Sequence, residues 1–180
     1  MLRIRSDDEI NCLDRGLVEL LTARVADLAA GANCAALVIA GSSRFFSSGA
    51  NLNELVRLNG PTALEFSRMG QAMMSAIEQF PAPTYAAISG YCMGGGLDLA
   101  LACRYRIASP EAVFGHRGAA LGLLTGWGGT QRLPRLIGKG RALHMLVAAE
   151  KIDTAEALRI GLIDAIEKDP VAVCIKRASQ

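Results

Sequence analysis

No uninterrupted apolar run in this chain approaches the roughly 20 residues needed to cross a bilayer as a helix, so a membrane-spanning reading has no support. There is no C-x-x-C pair and no H-E-x-x-H. The five cysteines, Cys12, Cys34, Cys92, Cys103 and Cys174, are odd in number and lie mostly in apolar contexts, which suggests buried free thiols in a reducing compartment rather than a zinc or redox motif. An excess of charge of one sign is lacking too. Nineteen Lys and Arg against 17 Asp and Glu leave a formal charge of +2, with the basic residues scattered, and an electrostatic nucleic-acid binder is not expected. Residues 1–11 are charged and lack the apolar segment of a secretory signal, so the expected location is the cytoplasm.

What is present is ordinary for a globular chain: 180 residues, 51% hydrophobic and 20% charged, enough for one compact domain with a real core. Residues 13–28 carry apolar side chains at helical spacing, with Asp14, Arg15, Glu19, Arg24 and Asp27 outward. Residues 35–40 are a short β-branched apolar run and read as a buried strand. After the loop FFSSGANLNEL, residues 61–80 again have helical periodicity, stopping before Pro81. Residues 84–89 read as a second buried strand, residues 90–96 as a glycine-rich turn, LDLALAC as the start of a buried helix, and residues 105–108 as a third strand. This alternation implies parallel pairing through crossover helices, hence an α/β fold. Residues 113–129 read as loop with six glycines, and helical patterns dominate from Thr130 on, including an apolar helical segment over 141–163.

Two of the loops stand out. Ser47-Ser48-Gly49-Ala50-Asn51-Leu52 and Gly90-Tyr91-Cys92-Met93-Gly94-Gly95-Gly96 both follow a buried strand and lead into a helix. Each can present free backbone N–H groups at a helix start. If one donor from each loop converges, they form a hole for the oxygen of a thioester or other acyl enolate. The plainer alternative is that the glycines only permit a tight turn and close helix packing. The second loop is neither G-x-x-x-x-G-K-[ST] nor G-x-G-x-x-G, and no G-x-S-x-G occurs. Nucleotide hydrolysis, dinucleotide binding and an α/β-hydrolase triad therefore lose their main support.

The pair SSGANLNEL and SGYCMGGGLDLALACRYRIAS, followed by VFGHRGAALGLLTGWGGTQRLPRLIGKGRALHMLVAAEKIDTAEALRIGLID, resembles the crotonase (enoyl-CoA hydratase/isomerase) superfamily from about Asn11 to Asp164. The resemblance implies a spiral of β-β-α turns over residues 1–137, carrying the acyl-CoA site, and a C-terminal helical trimerisation region over 138–180. It implies an acyl-CoA thioester as substrate, a homotrimer or hexamer, and no separate cofactor, coenzyme A being part of the substrate. Carried over by position, the oxyanion donors are the amides of Ala50 and Gly95. Ser48, Gly49, Ala50, Asn51 and Leu52 would line the pantetheine, with Gly94, Gly95 and Gly118 completing the substrate contacts.

This sequence departs from the hydratase pattern at both glutamate positions, which hold Asp98 and, in Phe114-Gly115-His116-Arg117-Gly118, Gly118. Water addition across an enoyl double bond is usually run by two carboxylates. At most one remains, leaving Asp98 and His116 as the candidate acid and base; each also has a structural alternative, Asp98 as a complement to a helix dipole and His116 as a satisfied or solvent-facing residue. Gly118 and Gly126 likewise stand where dienoyl-CoA isomerases carry acids, although Asp98 matches theirs. Trp127 resembles a loop of malonyl-type acyl-CoA decarboxylases, or it is a packing residue. The expectation is an acyl-CoA-processing enzyme of the hydratase/isomerase type. The alternatives are decarboxylation or a non-catalytic acyl-CoA-binding subunit.

Overall fold

The computed structural model describes residues 1–6, 10–31 and 34–179, so part of the charged N-terminal stretch, residues 7–9, lies outside the described residues. Among them, β1 (Leu2–Arg3), β3 (Leu37–Ala40), β6 (Thr84–Ile88), β8 (Tyr105–Ala108) and β11 (Ala165–Ile166) form one sheet in the order β1-β3-β6-β8-β11, parallel throughout. A second sheet has the order β10-β9-β7-β4 and is built from β4 (Phe45–Ser47), β7 (Tyr91–Met93), β9 (Val113–Gly115) and β10 (Ile152–Asp153). β2 (Cys12–Leu13) and β5 (Gly49–Ala50) form a separate parallel pair.

The chain climbs these two sheets in three similar turns. Each takes one strand of the first sheet, one of the second, and then a helix: β3 and β4 lead to α2 (Leu52–Leu55) and α3 (Gly60–Glu78), β6 and β7 to α4 (Gly95–Ala102), and β8 and β9 to α5 (Gly129–Ile137). This is the expected spiral of β-β-α turns. Local signals fix where its helices begin. Asp14 caps α1 (Arg15–Ala30) by accepting from Leu17 N at 2.7 Å, and Asn59 and Thr62 close a reciprocal capping box on α3. Farther on come α6 (Lys139–Ala148), α7 (Thr154–Arg159) and α8 (Pro170–Ala178), the last packing on β3, β6 and β8 around Cys174.

α4 sits at the centre. Every residue from Gly96 to Ala102 is buried, and Leu97 and Leu99 are fully so, each contributing about 1.5–3 kcal/mol of apolar burial. Asp98 is the one charged residue in that helix, at 1% exposure. An ionisable group in so apolar a setting costs stability unless it is partnered, which makes it the first place to look for function.

The structure corrects the sequence reading in four places. FFSSGANLNEL is not simply loop: it holds β4, β5 and the short α2. The stretches 90–96 and 113–129 likewise contain β7, β9 and a 3₁₀ turn over Gly118–Leu121. Strands of only two or three residues are too short to carry a periodic signal, and they form here because neighbouring turns of the spiral supply their pairing partners. The helical segment read over 141–163 is interrupted. Ala149 takes a positive φ of 53°, ending α6, and β10 intervenes before α7.

Candidate active site

α4 starts directly behind β7, and its first amides have no carbonyl of their own helix to bond. Gly94 N donates to Gly115 O at 2.9 Å, so Gly95 carries the first amide of the helix proper. The facing loop is locked from below. The buried Ser47 hydroxyl donates to Asn11 O at 2.7 Å and accepts from Gly49 N at 3.1 Å, while Asn51 N donates to Leu13 O at 3.2 Å.

The two loops touch through bare backbone. A Cβ placed on Gly49 would lie 2.7 Å from Met93 O and 2.8 Å from Gly95 N, and one placed on Gly95 would lie 3.3 Å from Ala50 N. Gly49 also has φ +96°, a region that residues with a Cβ rarely adopt. Together these observations bring the Ala50 and Gly95 backbones to the same place.

They border a cavity of about 440 Å³ whose lining includes Ser48, Ala50, Gly94, Gly95, Asp98 and His116. Leu52, Leu55, Phe66, Leu121 and Leu124 give it an apolar remainder, and Gly118 also lies on it. Two expected contact residues do not. Gly49 is buried against the backbone of Met93 and Gly95, and Asn51 turns its side chain to α2, where Oδ1 accepts from Asn53 N at 2.9 Å. Ser47 and Asn11, which hold the Ala50 loop, carry no signal of that role in the sequence. A buried Asn with φ 54° becomes meaningful only once its partners are known.

Asp98 does not cap its own helix. Its Oδ2 accepts from Thr125 Oγ1, and its Oδ1 lies 3.3 Å from His116 Nε2, outside hydrogen-bond geometry. Neither of those two facing atoms has a hydrogen bond among the described residues, although both are fully buried. His116 is 3% exposed, so the solvent-facing alternative fails for it. Gly118 is held by its fold: a Cβ there would stand 2.8 Å from Leu123 O, whose residue donates back to Gly118 O at 2.9 Å. This turn has no room for a side chain at the second carboxylate position. Trp127 is buried against Phe66, with ring centroids 5.2 Å apart, and donates from Nε1 to Phe66 O at 3.2 Å. These contacts give it a packing role. Near α4, burial pushes the Cys92 thiol well above its usual value, with Cys103 and the Asp98 carboxylate adding to the effect, so this sulfur stays a neutral thiol rather than a nucleophile.

The fold and cavity define a class: an α/β spiral in which backbone amides at a helix start, a buried carboxylate and an imidazole share one apolar pocket. A family profile described as Enoyl-CoA hydratase/isomerase matches residues 1–177, and the chain belongs to that family. It is 39% identical over 167 residues to a probable enoyl-CoA hydratase of Bacillus subtilis, covering 92% of this chain and 65% of that protein. It is 42% identical over 131 residues to a crotonyl-CoA hydratase of Syntrophomonas wolfei, covering 72% and 50%. The crystal structure of an enoyl-CoA hydratase from Bacillus anthracis matches with a TM-score of 0.93 at 33% identity, covering 98% of this chain and 70% of that one. The chain thus spans between half and about two thirds of the length of these curated relatives. Among the described residues, no helix is long and apolar enough to cross a membrane.

Proposed function

We propose that this chain carries the active site of an acyl-CoA-processing enzyme of the hydratase/isomerase type. The thioester carbonyl oxygen sits between the amides of Ala50 and Gly95, which draw electron density from the acyl group and stabilise the enolate that forms when a proton leaves Cα or a nucleophile adds at Cβ. Asp98 and His116 move the proton: with Gly118 bare, the imidazole takes the part that a second carboxylate would have. The observation that carries this reading is the meeting of the Gly49-Ala50 and Gly94-Gly95 backbones beside the Asp98 and His116 side chains in one cavity. The apolar lining suits an acyl chain, and Ser48 and Leu52 suit the pantetheine. A homotrimer or hexamer in the cytoplasm belongs to the same proposal, supported by the apolar side chains of Leu143, Val147 and Leu158 left exposed on α6 and α7.

Incubation with a panel of enoyl-, dienoyl-, hydroxyacyl- and malonyl-type CoA esters, read by mass spectrometry, tests the function. Gain or loss of one water from an enoyl or hydroxyacyl ester, or a double-bond shift at constant mass, is the expected result. Loss of carbon dioxide from the malonyl type would instead support decarboxylation, and a protein that binds the esters and changes none of them would be a binding subunit.

A further inference from the structure

The Asp98 carboxylate has one oxygen held and one oxygen free. Oδ2 accepts from the Thr125 hydroxyl, while Oδ1 has no hydrogen bond among the described residues and faces His116 Nε2 at 3.3 Å. A carboxylate turns readily about its Cβ–Cγ bond, because that torsion is broad rather than confined to staggered wells. With Oδ1 unbonded, the Thr125 hydroxyl is the side-chain donor among the described residues that sets the plane of the group. We propose that Thr125 is a positioning residue: its hydroxyl fixes the Asp98 carboxylate so that the other oxygen is presented to His116.

Thr125 is itself braced. The next carbonyl, Gly126 O, accepts from Ser67 Oγ at 2.8 Å and from Gln71 Nε2 at 2.7 Å, both on α3. The residue after that, Trp127, is wedged against Phe66. On the inner side the packing is close enough that a Cβ on Gly129 would lie 2.9 Å from Thr125 Cγ2 and 3.0 Å from His116 Nε2. The threonine is therefore held from α3 and from the start of α5, and it passes that placement to a carboxylate on α4. A hydroxyl suits the task because it donates one hydrogen bond without bringing a charge into the pocket. This inference rests on the reading of Asp98 and His116 as the proton-transfer pair, and its test separates the two.

Thr125→Val keeps the shape and removes the donor, and Thr125→Ser restores it. With the substrate found by the CoA-ester panel, Thr125→Val should lose roughly 10-fold to 10²-fold in kcat with little change in KM, since misplacing a reacting group by a fraction of an ångström acts on the chemical step. Thr125→Ser should recover most of that loss. The ¹⁵N signals of the His116 imidazole, which report which ring nitrogen carries the proton, should change in Thr125→Val and match the parent in Thr125→Ser. Parent turnover and parent His116 signals in Thr125→Val overturn the proposal, as does equal loss in both variants. Full turnover in Asp98→Asn would overturn the catalytic reading of the pair instead, and the His116 spectra would still decide whether Thr125 holds Asp98.

Discussion

Replacing Gly49 by alanine adds one methyl group at the point where the two proposed donor loops meet. The new Cβ would fall 2.7 Å from Met93 O and 2.8 Å from Gly95 N, both backbone atoms that cannot swing aside, and it would hold a φ of +96°. Left-handed backbone alone costs a residue with a Cβ about 1–2 kcal/mol. Relieving the contacts means parting the β5 loop from the start of α4 by several tenths of an ångström, for a total of about 2–4 kcal/mol, within the range of a severe single substitution. In a chain of this size that is a fall in Tm of roughly 4–16 °C. Parting the loops also pulls the Ala50 and Gly95 amides away from a common oxygen, and losing one such donor typically lowers turnover by about 10²–10³. Gly60→Ala is the control, because a Cβ there meets nothing within 4 Å; it should leave Tm and turnover near the parent values. Thermal denaturation and steady-state turnover on the substrate found by the CoA-ester panel read both effects. A Gly49→Ala protein with the parent Tm would refute the close approach of the loops. One that melts early yet turns over normally would refute the pairing of their amides in catalysis.

Four shorter expectations accompany it. Asp98→Asn should leave acyl-CoA binding nearly unchanged while lowering turnover by about 10²-fold or more, measured as a split between Kd and kcat; unchanged kcat removes Asp98 from the mechanism. Gly118→Glu should not improve hydration and should lower Tm, because its Cβ would press on Leu123 O at 2.8 Å; a gain in hydratase activity would contradict the fixed turn. Burial pushes the Cys103 thiol up to about 12, opposed in part by Arg106, whereas an unfolded thiol titrates near ~8.5. Between those values the unfolded chain has released a proton that the folded chain keeps, so stability that is complete below pH ~8.5 declines as pH rises, by about 1.4 kcal/mol per pH unit for this thiol. Urea denaturation at pH 8, 9 and 10 should show a shallower decline for Cys103→Ala, and identical slopes would refute the shift. Light scattering should give three or six times the chain mass, and a clean monomer at micromolar concentration would count against trimerisation.

The sequence by itself determined the order of the main elements. Apolar runs such as residues 35–40 and 84–89 fall as β3 and β6 because strands buried on both faces need no alternation, and capping residues such as Asp14 fix helix starts locally. The two loops that carry Ala50 and Gly95 were legible too, since glycine clusters between a strand and a helix are a local signal. Asp98 came to notice through the family resemblance, as the acid three residues beyond Gly95 where the hydratases carry a glutamate.

Tertiary structure alone decided the rest. β4, β5, β7 and β9 are strands of two or three residues, too short to show a period of their own, and they exist because successive turns of the spiral bring their partners into register. Gly49 proved to be a spacer between two backbones, a role set by Met93 and Gly95 more than 40 residues away in the chain, whereas Asn51 caps α2 through the local Asn53 N–H. Thr125 gave no signal in the sequence, being one threonine in a glycine-rich stretch 27 positions from Asp98. Its meaning comes from α3 and α5 closing around α4, and no local pattern encodes a meeting of three elements whose spacing is set by the packing between them.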